Sequence, residues 1–319
     1  MKKLMFGKIV AFFQLIRWYN LLIAAGVFYF TRWFLVEAFL SMEKVHSPFN
    51  EWTFLWLVVN YLLIMAGGYA LNDYYDVGMD EINRTDKTIL RRKLPIETGI
   101  RTFFVLVSIG LLSALGQAIV IREKYLFIFP VFVAGLLWFY STKFKRDFFW
   151  GNFSIALLAF LNVFLIFLHY MMLFPIVKDI PTYVYPVIFK LTFLYACLAA
   201  IVSFIREVVK DMLDIKGDKE FGCKNFPIVW GVKKTKHFLL VLEVIFLLFL
   251  AFMVYFLSGF RSHYVFLFFV VVLVPFWIFV IRETWSAKEE KDFKQLALLL
   301  KIYMIAGILS MQLIPESWA

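Results

Sequence analysis

The chain has 319 residues, 63% of them hydrophobic and 20% aromatic, with a mean hydropathy of +0.81 and a formal net charge of +10. Soluble domains average about 45–50% apolar residues, so a soluble globular protein is excluded and an integral membrane protein remains. Cys197 lies in an apolar segment and Cys223 in a polar one, which argues against a disulfide, and two cysteines are too few for a thiolate metal or redox centre.

The start, Met1-Lys2-Lys3-Leu4, carries the charge of a signal peptide. Arg17 and Asn20 interrupt the apolar run and no small-residue cleavage site follows, so an uncleaved first span is expected. Counting that first span, nine apolar segments are visible, at about 15–40, 52–72, 101–121, 125–141, 152–174, 183–206, 237–258, 264–281 and 296–313. No Ser/Gly linker or low-complexity tract separates them. The expected architecture is all-α: one polytopic domain over residues 1–319, with nine transmembrane helices around a central cavity. With the N-terminus in the cytoplasm, 24 of the 33 basic residues fall on the cytoplasmic side. Seven fall opposite: Arg32, Lys44, Arg122, Lys124, Lys178, Lys190 and Arg261. Loops facing anionic lipid explain most of the +10 charge, and no nucleic-acid partner is implied.

The second and sixth spans each end in an acidic cluster on the cytoplasmic side. The first is Asn72-Asp73-Tyr74-Tyr75-Asp76-Val77-Gly78-Met79-Asp80, and the second is Asp211-Met212-Leu213-Asp214-Ile215-Lys216-Gly217-Asp218. Steps of three and four residues place Asp73, Asp76 and Asp80 on one helical face, and likewise Asp211, Asp214 and Asp218. Crowded like charges persist where something positive binds, and Mg²⁺ bridged to a polyphosphate suits such oxygens. One cluster alone reads equally as a solvated helix end; two with matching spacing on one side point to a diphosphate site. Arg84 follows the first cluster, Arg206 and Lys210 precede the second, and Lys143 and Lys145 end the fourth span. The two lysines also fit a plain topology signal. The clusters lie four spans apart, which suits two four-helix units plus a ninth helix.

These residues carry a family resemblance. Asn72-Asp73-xx-Asp76-xxx-Asp80 with Ile82-Asn83-Arg84 resembles the first signature of the UbiA superfamily of intramembrane prenyltransferases. Asp211-xx-Asp214-xx-Gly217-Asp218, with Arg206-Glu207 before it and Phe221-Gly222 and Pro227 after it, is similar to the second. Tyr140-Ser141-Thr142-Lys143-Phe144-Lys145 resembles the tyrosine–lysine motif, and Arg17-Trp18-Tyr19-Asn20 the early arginine–asparagine pair. Residues 85–93 depart from the Pro-rich stretch of many members, and Trp18 stands where a proline is frequent.

The resemblance implies a Mg²⁺-dependent enzyme in a prokaryotic inner membrane, its site facing the cytoplasm. Six aspartates would hold the metal: Asp73, Asp76, Asp80, Asp211, Asp214 and Asp218, with Asp73, Asp76, Asp211 and Asp214 the catalytic set. Asn72, Arg84, Lys143, Lys145, Arg206, Lys210, Arg17 and Tyr140 would contact substrate. The donor would be a polyprenyl diphosphate, its leaving oxygen made electron-poor by the metal and its allylic cation faced by aromatic rings. The second motif is most similar to the branch containing geranylgeranylglycerol-phosphate geranylgeranyltransferases, implying a lipid hydroxyl as acceptor. An aromatic quinone precursor is the alternative acceptor. An ion-coupled transporter is the alternative of another class, disfavoured because the acids sit at span ends rather than near the midplane. A CDP-alcohol phosphotransferase lacks its continuous motif here. His169, Gln117 and Glu243 read as interhelical hydrogen-bonding groups. Arg17 reads either as a snorkelling cation or as a grip for an acceptor's negative group.

Overall fold

A computed structural model of the chain describes residues 2–83, 88–174, 182–259 and 263–318, with the side chains of residues 2–5, 317 and 318 left aside. Arg84 and Lys87, expected beside the first acidic cluster, and Lys178, Arg261 and Ala319 lie outside the described residues.

Helix α1 (Lys2–Leu15) leads into nine helices long and apolar enough to cross a membrane among the described residues. These are α2 (Trp18–Met42), α3 (Glu51–Asn83), α4 (Glu97–Ile121), α5 (Tyr125–Thr142), α6 (Trp150–Leu173), α7 (Val184–Glu220), α8 (Phe226–Leu257), α9 (Tyr264–Ser286) and α10 (Glu290–Ser310). A short α11 (Leu313–Trp318) follows. The described residues contain no strand.

Three boundaries differ from the hydropathy reading, each for a physical reason. The first span breaks at Arg17, whose left-handed backbone (φ 51°) separates α1 from α2. Helices α3 and α7 continue past their apolar stretches. At 33 and 37 residues they reach about 50 and 55 Å at ~1.5 Å per residue, well beyond the ~30 Å hydrocarbon core. Hydropathy sees only the membrane part; the polar extensions carry the acids. Helix α8 starts at Phe226 rather than near 237, because Asn225 accepts a hydrogen bond from the Ile228 N–H (3.3 Å) as an N-cap and Pro227 suits the first turn. Lys233, Lys234 and Lys236 disguised that segment as a loop. It kinks at Gly231, whose φ of 78° suits a residue without a Cβ.

Helix α3 packs against α2, α4, α5 and α7, while α6 and α10 pack on α7. The inner wall is drawn from α2, α3, α5, α6, α7, α9 and α10, with α4 and α8 packed outside it. Polar bonds stitch the bundle where apolar packing alone has no register. Asn60 donates to Gln117 (2.8 Å), which donates to the Thr53 carbonyl (2.7 Å). Tyr61 pairs with His169 (2.8 Å), and Thr284 donates to Glu243 (2.7 Å). Those are the interhelical roles expected of Gln117, His169 and Glu243. Arg32, buried in the second half of α2, meets Glu37 at 2.8 Å and Glu51 at 2.9 Å and lies over the Phe54 ring, tying α2 to the start of α3.

Candidate active site

The acidic ends of α3 and α7 are clamped together by one asparagine and one glycine. Asn83 donates to the Asp214 carbonyl (3.0 Å), and its side-chain oxygen accepts from the Gly217 N–H (2.7 Å). A Cβ on Gly217 would lie 2.7 Å from the Met79 carbonyl, so only glycine permits this approach. The two carboxylate faces therefore meet across one opening.

That opening leads into a cavity of about 550 Å³. Asn72, Asp76, Asp80, Asp211, Asp214 and Asp218 line its acidic mouth. Lys145, Arg206, Lys210, Arg17 and Tyr140 line it as well. The deeper wall is aromatic and aliphatic, with Phe28, Tyr61, Leu165 and Tyr195 among its residues. The shape suits a molecule with a polyanionic head and an apolar tail.

Each acid has a specific setting. Asp76 is 4% exposed; one of its oxygens accepts from Asn72 (2.6 Å) and pairs with Lys145. Asn152 of α6 donates to Asp211 (2.8 Å), and Asn225 donates to Asp218 (2.7 Å). Lys145 sits on a 3-10 turn, Phe144–Arg146, that rests on Gly151, where an added Cβ would lie 3.1 Å from the Lys145 Cα. The Lys224 N–H also donates to the Arg146 carbonyl (3.0 Å), fixing the turn from the α7–α8 side. Burial is the largest single influence on Lys145 and pulls its pKa down, but Asp76, Tyr140 and Asp80 together outweigh it and raise the pKa, so the ammonium stays charged at physiological pH. Glu207 holds Lys210 (2.8 Å) and Arg206 (3.6 Å) at the cavity wall.

Two expected residues do not reach the cavity wall. Asp73 turns instead toward the α1–α2 break and pairs with Arg17 at 2.6 Å, while the Arg17 guanidinium lies 5.1 Å from the centre of the Tyr69 ring. Lys143 caps α5 and is exposed, because the chain turns there and brings Lys145, two residues on, inward. Asn83, Asn152, Asn225 and Glu207 went unassigned at the sequence level. Glu207 and Asn83 stood inside quoted motifs without a role, while the uncharged Asn152 and Asn225 left no signal.

The donor set fits a hard divalent cation. One oxygen of Asp76 and the side-chain oxygen of Asn72 are buried without a hydrogen-bond partner while both residues line the cavity. Buried oxygens of this kind ordinarily find a partner, and a cation supplies one. Among the described residues no three acidic, His or Cys side chains converge closely enough to hold an ion by themselves. A metal here would complete its shell with phosphate and water, as Mg²⁺ commonly does.

A family model described as the UbiA prenyltransferase family matches residues 28–305. The digeranylgeranylglyceryl phosphate synthase of Saccharolobus solfataricus is 30% identical over 251 residues, covering 78% of this chain and 79% of that one. The synthase of the same name from Sulfurisphaera tokodaii is 25% identical over 230 residues, covering 70% and 71%. The alignment with the synthase of Methanosphaera stadtmanae (27% identical) covers 56% of this chain and spans only 58% of that protein's length. Among solved structures, a digeranylgeranylglyceryl phosphate synthase superposes with a TM-score of 0.62 at 22% identity, covering 97% of this chain and 98% of that one. A UbiA homologue from Archaeoglobus fulgidus bound to GPP and Mg²⁺ gives 0.51 at 17% identity, covering 94% and 99%. These structures establish the shared fold.

Proposed function

Since the chain belongs to the UbiA prenyltransferase family, we propose that it transfers a prenyl group from a polyprenyl diphosphate to the free hydroxyl of a prenylglycerol phosphate, with Mg²⁺ as cofactor. The observation that carries this reading is the pairing of two acidic helix ends, interleaved with Lys145, Arg206 and Lys210, over an apolar cavity. The names of the related synthases and the ligands of the Archaeoglobus homologue support it.

Asp76 and Asp80 from α3, with Asp211, Asp214 and Asp218 from α7, would hold the metal and the diphosphate between them. When bound, Mg²⁺ supplies charge that makes the diphosphate a better leaving group. The chain's own residues do the rest. The bond between the allylic carbon and the diphosphate oxygen breaks with its electron pair going to the departing pyrophosphate. Lys145, Arg206 and Lys210 face that growing negative charge from fixed positions, where it is worth most. Asn72 and Asn152 hold Asp76 and Asp211 in place. Glu207 keeps the two α7 cations at the wall rather than free to collapse onto the aspartates. Tyr140 borders the mouth at the point where the reacting carbon enters the apolar body, and its ring can face the allylic cation. The acceptor oxygen forms the new C–O bond and its proton leaves to solvent. The apolar walls exclude water that would otherwise capture the cation.

The basic residues bear on orientation. Their bias supports a cytoplasmic orientation for the acidic ends of α3 and α7. The test of the proposed activity is incubation of purified protein with Mg²⁺, labelled geranylgeranyl diphosphate and a panel of glycerol-phosphate lipids and hydroxylated aromatics. Label should enter the glycerol-phosphate lipid. Label found only in an aromatic acceptor would overturn the reading.

A further inference from the structure

A second recess adjoins the main cavity between α2 and α10. It measures about 560 Å³ and shares Arg17, Asn20, Ile23, Lys301 and Ile305 with the main cavity. Leu22, which also lines the recess, is 61% exposed on the outer face of α2. The shared residues form a throat joining the membrane-facing side of the bundle to the acidic site.

Lys301 is out of place as a topology signal. It sits in the run Leu298-Leu299-Leu300-Lys301-Ile302-Tyr303, five residues into the apolar segment that starts near 296, or about 8 Å along a helix rising ~1.5 Å per residue. Among the described residues no carboxylate lies within ion-pair distance of it. A lysine at that depth is retained where it faces a cavity and meets an anion there. The other cation of the throat, Arg17, pairs with Asp73 at 2.6 Å through one terminal nitrogen of a guanidinium that carries five N–H donors in all. The throat thus has apolar walls, two cations and no carboxylate of its own among its lining residues.

We infer that this throat holds the phosphate of the lipid acceptor, with Lys301 as its anchor and Arg17 and Asn20 as flanking donors. A phosphate monoester on an alkylated glycerol matches both halves of the recess: its charge meets the two cations, and its chain lies along Leu22, Ile23 and Ile305. Lys301 would then discriminate a phosphorylated lipid acceptor from a neutral one, and it would place the acceptor hydroxyl toward the main cavity, which the throat adjoins. The inference deepens the proposed function and rests on it.

The experiment compares Lys301→Gln and Lys301→Arg with the wild type on two acceptors, a prenylglycerol phosphate and the same lipid without phosphate. The removal of one charge-assisted contact predicts that Lys301→Gln raises KM for the phosphorylated acceptor by about 10- to 100-fold. KM for the diphosphate donor should move less than about threefold, and Lys301→Arg should restore most of the acceptor affinity. The preference for the phosphorylated lipid should collapse in Lys301→Gln. An unchanged acceptor KM, or an equal loss on both lipids, would overturn the anchor role while leaving the proposed function standing. Wild-type protein that prenylates neither lipid would refute the proposed function and the acceptor site together. Nanodiscs with and without phosphatidylglycerol close the remaining route. If Lys301→Gln differs from wild type only when anionic bulk lipid is present, the throat binds membrane lipid, and the inference is wrong.

Discussion

Lys143 and Lys145 separate two roles for a basic residue at a helix end, and the structure assigns them opposite outcomes. Lys145 lines the cavity, pairs with Asp76 and is held by a turn seated on Gly151. Lys143 is exposed and contributes nothing to the wall. Lys145→Gln removes a fixed positive charge from the cavity wall at which the proposed reaction would develop pyrophosphate. By analogy with loss of one preorganised oxyanion donor, kcat should fall about 10²–10³-fold, equivalent to ~2.7–4 kcal/mol of transition-state stabilisation. KM for the donor should rise less than tenfold, because the ground-state diphosphate still meets Arg206, Lys210 and the metal. Lys143→Gln should stay within about twofold of wild type, as an exposed cation in water contributes little. There is a second signature. Lys145 and a metal ion both seek Asp76, so its removal should lower, not raise, the Mg²⁺ concentration giving half-maximal activity. Steady-state kinetics on a labelled prenyl diphosphate, with a thermal unfolding control, read all of this. Equal losses at Lys143 and Lys145, or wild-type kinetics in Lys145→Gln, would refute the reasoning.

Three further outcomes follow from other parts of the molecule. Gly217→Ala should destabilise the protein by about 1–3 kcal/mol through overpacking of a new Cβ against Met79 and Asn83, and should raise donor KM as the acidic faces part; a melting curve and kinetics indistinguishable from wild type would show the α3–α7 clamp is dispensable. Cys223 is buried, and burial first, then nearby Asp218, pushes its thiol up to about 11. Because only the thiolate reacts, a Cys197→Ser protein should alkylate about a hundredfold or more slowly than a free thiol at pH 8 and accelerate as pH rises toward 11; rapid labelling at pH 8 would contradict that burial. Single cysteines placed at the exposed Arg91 and Lys216 should both label from the cytoplasm and one at Lys44 from the opposite side, whereas labels on Arg91 and Lys216 from different sides would break the single-site geometry.

The sequence was most legible where composition and charge do the organising. Apolar runs of membrane length disclosed the spans, since the bilayer allows little else in its core. Paired aspartates at helical spacing disclosed which two helices meet, because like charge accumulates only toward a shared cation. The limits of that reading are equally physical. Hydropathy cannot follow α3 and α7 once they leave the apolar layer, so the acids seemed to follow the spans when they lie in the last turns of the same continuous helices. Asn83, Asn152 and Asn225 are neutral, and their work as clamps depends on contacts across 131, 59 and 7 residues of sequence separation. Spacing placed Asp73 with its cluster-mates, yet the backbone turn at Arg17 draws it to another partner. Lys143 and Lys145 look alike in sequence; the 3-10 turn that tells them apart is set by packing on Gly151.

The central claim is that the acidic ends of α3 and α7 form one Mg²⁺-dependent diphosphate site. The most direct measurement is equilibrium binding of a radiolabelled prenyl diphosphate to the purified protein in Mg²⁺ and in EDTA, for wild type, Asp76→Asn, Asp214→Asn and the double variant. Binding should require Mg²⁺ in the wild type, fall in either single variant, and fall little further in the double variant, because both helices serve the same ion. Tight binding that persists in EDTA, or strictly additive losses from two independent positions, would contradict the account.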